Sequence, residues 1–445
     1  MGYTSRRGRR PNEYASKSAH GHVIQDEVVK KFLTQCNLPK RAGDVKISEH
    51  LRVPFEPVTD NAIRHVIAVD GGYNEVAIQK EFPSATVCFF QFGALFFDVR
   101  DLEQLDEQPF IDPDDIAKLK RIQRIKLVLP VRNIALKSEQ SLTRSVRRAV
   151  YDFFCRAMDD GKLIETLRWF LFQDYSDDVP SWTLASCPEC SSQSVPLAGG
   201  AMAKDHTFAC PECSGRVYLT DVFRLHEAVD DELGAREVLG YLTTTVEQMI
   251  LVHLIRTILR TKPALLRQLL FIKDGPLAFF GQTANMHQPM RSLVKFLFEQ
   301  HNLFLVGLEK SGPFVEHADE IADLLSDGSV LILDDDYIYR YVLPSKGIPA
   351  HPYGSSTYYG SKLIFKTRNG QVHVATVPTT ESNRHPAEQD LCNLRAILTN
   401  VEKLRCDMYD NALIPVALVN KLVSLANHPS TRILKKFAVD SLDHP

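Results

Sequence analysis

The sequence predicts a mixed α/β protein, and three observations carry that reading. Short β-branched apolar runs, such as His65-Val-Ile-Ala-Val-Asp70 and Leu303 to Leu308, alternate with stretches of helical apolar spacing, such as Ser138 to Met158 and Ala235 to Arg260. The alternation follows no strict strand–helix repeat, so the class is mixed α/β rather than a regular βα array. The chain has 445 residues, 44% hydrophobic and 24% charged, which allows a sizeable core and excludes wholesale disorder.

Element by element, residues 1–22 read as a flexible basic arm. Arg6, Arg7, Arg9, Arg10 and Lys17 there face only Glu13. Such an arm could touch phosphates or simply be a solvated tail. A helical pattern covers Val23 to Leu33. The run His65–Asp70 reads as a buried strand that ends in a carboxylate followed by Gly71-Gly72. Thr86 to Val99 reads as one or two strands, followed by an acidic connection from Asp101 to Asp115. Helical spacing marks Ser138–Met158, Lys162–Phe172 and Ala235–Arg260. Leu265–Lys273 reads as a strand or a helix–strand junction ending in Asp274-Gly275-Pro276, and Met290–Gln300 as a helix. Leu303–Leu308 is an apolar strand leading into Glu309-Lys310-Ser311-Gly312. Ser329–Leu343 and Lys362–Val377 look like strands, and 386–404 and 411–426 like closing helices.

Composition narrows the function classes. With 52 Lys+Arg against 55 Asp+Glu there is no global positive field, so any nucleic-acid contact must use local patches. The apolar runs, such as Met249–Leu254, are far shorter than the roughly 20 residues of a membrane span. No apolar segment follows the N-terminal arginines as a secretory signal requires. The expectation is a soluble cytoplasmic protein with no membrane partner.

Nine cysteines include Cys187-Pro-Glu-Cys190 and Cys210-Pro-Glu-Cys213, separated by nineteen residues. Two Cys-x-x-Cys turns joined by a hairpin form a tetrahedral four-thiolate site, which suits Zn²⁺. Four thiolates leave no open position, so this zinc is structural. A ribbon of ~40 residues has little core of its own, and the ion supplies folding energy that packing cannot. The remaining cysteines, Cys36, Cys88, Cys155, Cys392 and Cys406, are scattered and read as small apolar residues.

A second constellation is acidic. Asp70 and Asp274 each end an apolar strand and precede glycine, and Glu247 shares a helical row with Leu251 and Leu254. Buried carboxylates need a partner, and Mg²⁺ or Mn²⁺ held in an oxygen cage is one that can join several. Taken singly, each Asp-Gly is also a common turn. The fourth element, Val306-Gly-Leu-Glu-Lys310-Ser-Gly, sets a lysine at a strand end where it could hold a phosphate or an attacking water. It does not match a P-loop.

Val69-Asp70-Gly-Gly, Lys273-Asp274-Gly-Pro-Leu and Gly307-Leu-Glu-Lys310-Ser, in that order, resemble the motifs of the NurA nucleases over roughly residues 63–425. The resemblance implies a ribonuclease H-like mixed sheet flanked by helices, a homodimer, and Mn²⁺- or Mg²⁺-dependent cleavage of DNA beside a hexameric HerA-type ATPase translocase. It implies Asp70, Glu247 and Asp274 as metal ligands and Lys310 beside them. Tyr409 matches the family's C-terminal tyrosine, whereas Asn420 stands where a histidine is expected. Gly-Pro after Asp274 and the cysteine-rich insertion are further departures. On this reading residues 23–180 and 223–426 are the two parts of one nuclease domain, 181–222 an inserted zinc ribbon, and 427–445 a tail. The implied activity is 5'-3' exonuclease and/or single-strand endonuclease action in end processing, repair or anti-phage defence. The rival reading is a non-catalytic zinc-ribbon adaptor that binds nucleic acid or the ATPase.

Other polar residues have plainer readings. Asp334-Asp-Asp336, the main rival metal site, precedes an alternating Tyr337-Ile-Tyr-Arg-Tyr-Val and reads as a hairpin turn. His317 reads as a helix-start residue and His253 as a satisfied core histidine. Arg144, Arg147 and Arg148 lie on one helix and either line a DNA channel or form a solvated face.

Overall fold

The computed structural model describes residues 17–79, 84–100, 123–176, 181–343, 350–406, 412–425 and 430–443. Most of the basic arm and the acidic connection Asp101–Asp115 lie outside the described residues. At the centre is a nine-stranded mixed sheet. Along the chain the strands are β1 (Arg52–Pro54), β2 (His65–Ala77), β3 (Thr86–Asp98), β4 (Gln123–Arg132), β5 (Trp182–Ser186), β6 (Gln193–Leu197), β7 (Thr207–Ala209), β8 (Arg216–Tyr218), β9 (Leu269–Asp274), β10 (Phe304–Glu309), β11 (Ser329–Ile332), β12 (Gly360–Lys366) and β13 (Val372–Pro378). The large sheet runs β1-β11-β12-β13-β10-β9-β2-β3-β4, and β5–β8 form two separate hairpins. Among the described residues only β2, β9 and β10 run parallel, with β9 in the middle; every other pairing there is antiparallel.

The helices are α1 (Lys17–Gln25), α2 (Glu27–Thr34), α3 (Leu142–Cys155), α4 (Leu163–Leu171), α5 (Val238–Thr261), α6 (His287–His301), α7 (Pro313–Glu320), α8 (Leu394–Lys403), α9 (Ile414–Val423) and α10 (Ser430–Asp443). Strand pleating sends alternate side chains to opposite faces. Ile67, Val69, Phe271 and Leu305 therefore meet α3, α4, α5 and α6, while Val66, Ala68, Leu270, Ile272 and Val306 meet α8 and α9. A third cluster covers β11–β13 with Phe314, Val315 and Ala318 of α7. The expected mixed sheet flanked by helices, with a small cysteine-bearing insertion, is what the chain forms. Helix α5 is long and apolar enough to cross a membrane by composition, but 72% of its most apolar window is buried inside this fold.

Several expectations are corrected. β2 does not stop at Asp70. It pairs with β3 through Gly71↔Phe92 and Gly72↔Gln91 as far as Ala77↔Thr86. What ends near Asp70 is the parallel neighbour β9, whose pairing with β2 stops at Val69↔Lys273. Both glycines are required by crowding: a Cβ on Gly71 would lie 2.6 Å from the Phe92 ring, and one on Gly72 2.9 Å from the Val423 carbonyl. Residues 334–342 are not a hairpin. Asp334 accepts the Tyr337 N–H at 2.8 Å and so caps a helical turn, Asp335–Tyr337, which continues as a π-helical turn over Ile338–Val342. β4 escapes the sequence reading, although Leu127, Leu129 and Val131 alternate into the core. Its Pro130 argues against a strand, yet β4 is an edge, where a missing N–H is tolerated. Residues 430–443 of the stretch read as a tail are helix α10, and its Thr431 accepts a bond from Asn74 of β2 at 2.9 Å.

Of the arginines of α3, Arg147 departs from both expected roles, while Arg148 stays on the solvated face. Arg147 is buried and pairs with Asp221 at 2.9 Å and with Glu189 at 2.5 Å, and Arg144 holds the other Glu189 oxygen at 2.6 Å. Arg148 pairs with Asp152 one turn along. Because Glu189 lies between Cys187 and Cys190, this network docks the first knuckle onto α3.

Candidate active site

The C-terminal ends of β9 and β10, with the middle of β2 beside them, open onto a cleft of about 490 Å³ lined by Asp70, Glu247, Asp274, Lys310 and Asn420. Pleat parity explains how these residues meet. Asp70 continues the row Val66–Ala68 and Asp274 the row Leu270–Ile272, so both aspartates belong to the face covered by α9, which carries Asn420. Register places them side by side, because Val69 pairs with Lys273 and Leu308 with Asp274. Glu247 comes from α5 on the opposite face. It reaches the same end of the sheet past Gly71, where a Cβ would lie 3.1 Å from its Oε1.

Lysines answer the carboxylates. Lys310 Nζ lies 2.6 Å from Asp274, and the buried Lys273 Nζ lies 3.3 Å from Glu247. Lys273 also donates to the Asp274 carbonyl. Glu309, which borders the cleft as well, is paired with the buried Lys362. Asp70 is less well served. Its Oδ1 accepts the Gly71 N–H at 2.8 Å, but Oδ2 is buried with no hydrogen-bond partner among the described residues. Desolvation, reinforced by Asp274, pushes Asp70 up to about 7 against the pull of Lys310 and Lys273. Desolvation likewise pushes Glu247 up to about 8, although Lys273 opposes it.

The donor types suit a hard dication, although the oxygens of Asp70, Glu247 and Asp274 do not all lie within 4.8 Å of one another. The donors are carboxylates on rigid elements, one oxygen is buried without a partner among the described residues, and burial disfavours the ionised form of both Asp70 and Glu247. Asp70, Glu247 and Asp274 are the groups that could hold such an ion. Of the residues singled out in the sequence, Asp70, Glu247, Asp274, Lys310 and Asn420 share this cleft, while Tyr409 lies outside the described residues. Lys273 and Glu309 were missed. Lys273 had a readable signal: it occupies the buried parity of an otherwise apolar strand, where a charge needs a partner.

The four cysteines also converge. All four sulfurs lie within 4.8 Å of one another, with Cys187–Cys213 at 4.0 Å and Cys190–Cys210 at 3.9 Å. Zn–S bonds of about 2.3 Å in a tetrahedron require sulfurs about 3.8 Å apart, so the geometry fits zinc. The two knuckles are near copies. Cys187 N–H donates to the Ser192 carbonyl and Cys210 N–H to Gly215, while Glu189 and Gly215 N–H groups point at the Cys187 and Cys213 sulfurs. Leu184, Val195, Leu197 and Val217 of the two hairpins join the main core, so the insertion is packed as well as metal-fitted.

His253 donates to or accepts from Thr166 at 2.7 Å in the core, and His317, buried within α7 near its middle, meets the Tyr337 hydroxyl at 2.9 Å. Neither histidine lines the cleft.

No family model and no curated protein matches the sequence. Among solved structures, the crystal structure of the NurA nuclease from Sulfolobus solfataricus aligns over 97% of this chain and 98% of that one, at 9% identity and a TM-score of 0.35. At that score the likeness says nothing of activity.

Proposed function

We propose that the protein is a metal-dependent deoxyribonuclease whose active site is the cleft at the ends of β9 and β10, beside the middle of β2. The observation that carries the proposal is the convergence of Asp70, Glu247, Asp274 and Lys310 from both faces of the sheet, with Asp70 Oδ2 buried and unpartnered. Asp70, Glu247 and Asp274 would hold Mn²⁺ or Mg²⁺. When bound, such a cation supplies positive charge that acidifies a water and stabilises the charge developing on a phosphodiester.

The chain's own groups do the rest. Lys310, half-exposed at the cleft mouth, offers a mobile ammonium to a non-bridging phosphate oxygen or to the leaving group. Lys273 keeps Glu247 oriented from below. Asn420 presents a neutral amide from α9, which can orient a phosphate or a water but cannot exchange a proton as histidine does.

The motif resemblance supplies the finer part of the proposal. It is 5'-3' exonuclease and/or single-strand endonuclease action, fed by a HerA-type hexameric ATPase, in DNA end processing, repair or anti-phage defence. A homodimer belongs to the same reading, and the exposed Ile433 and Phe437 of α10 provide apolar surface for a second copy. The four-cysteine module would hold structural Zn²⁺. The test is cleavage of linear DNA with Mn²⁺ by wild type, Asp70→Asn, Glu247→Gln and Asp274→Asn. Loss in all three supports the site, and near-wild-type cleavage by any two removes it. DNA binding without hydrolysis by the wild type would instead favour the adaptor.

A further inference from the structure

We propose a second cation site, separate from the cleft and the cysteine module, formed by Asp334, Asp336, His385 and His50 and selective for an imidazole-preferring dication of the Zn²⁺ class. Ligand atoms of Asp334, Asp336 and His385 all lie within 4.8 Å of one another. Asp334 is the anchor. It is 3% exposed, and its two oxygens have divided tasks. Oδ1 is fixed by the Tyr337 N–H at 2.8 Å, which leaves Oδ2 facing His385 Nδ1 at 3.2 Å and His50 Nε2 at 3.8 Å. A carboxylate oriented by a backbone donor and flanked by two imidazoles is a preorganised donor set.

Three distant segments supply the donors. His50 sits in a 3₁₀ turn beside the buried Leu51, immediately before β1. Asp334 and Asp336 follow β11. His385 lies in the loop after β13, which is tied to the site by the Asp335 N–H bond to the Arg384 carbonyl at 3.0 Å. Two imidazole nitrogens with two carboxylates form a borderline donor set, suited to Zn²⁺ and its neighbours rather than to Mg²⁺ or Ca²⁺. Both histidines are more than half exposed, so an ion can enter, and water can complete its shell. A bound ion would cross-link the β1 edge of the sheet to the β13–α8 connection.

The bland alternative is a pair of His–Asp ion pairs. Protonation strengthens such pairs, and a neutral imidazole N–H still donates to the carboxylate at the 3.2 Å of His385 and Asp334, whereas a metal site needs a free ring nitrogen and strengthens as protons leave. The experiment is equilibrium dialysis of the full chain against micromolar ZnCl₂ at pH 8, counting bound metal by mass spectrometry. Wild type is compared with His50→Ala/His385→Ala and with Asp336→Asn. Both histidines being exposed, the double variant should fold, and equal melting temperatures without added metal check that. The expected result is one fewer zinc equivalent in the double variant, and a zinc-induced rise in melting temperature that Asp336→Asn reduces. Equal zinc counts in wild type and double variant overturn the proposal, whatever the activity of the cleft.

Discussion

Replacing Asp70 with Asn should make the manganese-free protein more stable at pH 8 while removing its response to manganese. The folded-state pKa of Asp70 is raised from 3.8 to about 7, so the fold binds this proton more tightly than the unfolded chain does. For an acid shifted upward, stability is highest below the unfolded pKa and falls as pH rises toward the folded one. The full cost is thus present at pH 8. A rise from 3.8 to about 7, at about 1.4 kcal/mol per tenfold, sets an upper figure of about 4 kcal/mol. Repulsion from Asp274, which Lys310 and Lys273 partly offset, accounts for part of it, which leaves about 2–4 kcal/mol for removal of this one charge. Asn keeps the oxygen that accepts the Gly71 N–H and places a neutral NH₂ where Oδ2 has no partner. With an unfolding entropy of about 2.1 cal/mol/K per residue, roughly 0.9 kcal/mol/K for 445 residues, the variant should melt about 2–4 °C higher at pH 8. The gap should close as pH falls toward 4. Manganese at a hundredfold excess over its dissociation constant stabilises by about 2.7 kcal/mol, roughly 3 °C here, and this increment should vanish in the variant. Differential scanning fluorimetry from pH 4 to pH 8, with and without Mn²⁺, measures both. Equal melting temperatures at pH 8, together with equal manganese increments, would refute the buried-charge argument and the ligand role together.

Purified wild type should carry one tightly bound zinc per chain before any is added, and Cys187→Ser or Cys213→Ser should lose it by elemental analysis. Because Leu184 and Val217 of that module sit in the main core, both variants should also melt at lower temperature. Arg147→Met strands the buried Asp221 and should destabilise by about 3–5 kcal/mol, whereas the exposed Arg148→Ala should cost about 1 kcal/mol or less; melting curves for the two give the contrast. Gly72→Ala pushes a methyl to 2.9 Å from the Val423 carbonyl and must displace α9. Cleavage should therefore fall while zinc content stays at one, and unchanged cleavage would show that the position of Asn420 is immaterial.

The parts of the fold that can be read in the sequence are those whose cause is local. β2, β3, β9 and β10 are apolar and β-branched, and α3, α5 and α6 carry helical spacing, so each declares its own type. The carboxylate cleft is legible in part: a charge after an apolar run and before glycine marks the end of β9 at Asp274, whereas at Asp70 the same pattern marks only where β2 outruns its parallel neighbour. β4 hides because its proline and basic residues contradict a strand until its edge position is known.

What cannot be read locally is which distant charge completes a pair. Arg147 looks like any helix-face arginine, because Glu189 and Asp221 lie 42 and 74 residues away. Asp334-Asp-Asp336 looks like a turn; its capping bond to the Tyr337 N–H is local, but the histidines beside it come from chain segments near residues 50 and 385. In both cases the residue type announces that a buried charge needs a partner, and only the packing of the sheet says which one. Lys273 marks the boundary between the two situations. Strand parity alone shows that it must point into the α5 layer, and a lysine there requires an anion, so Glu247, on the helix just before that strand, could have been assigned to the cleft from parity and charge together.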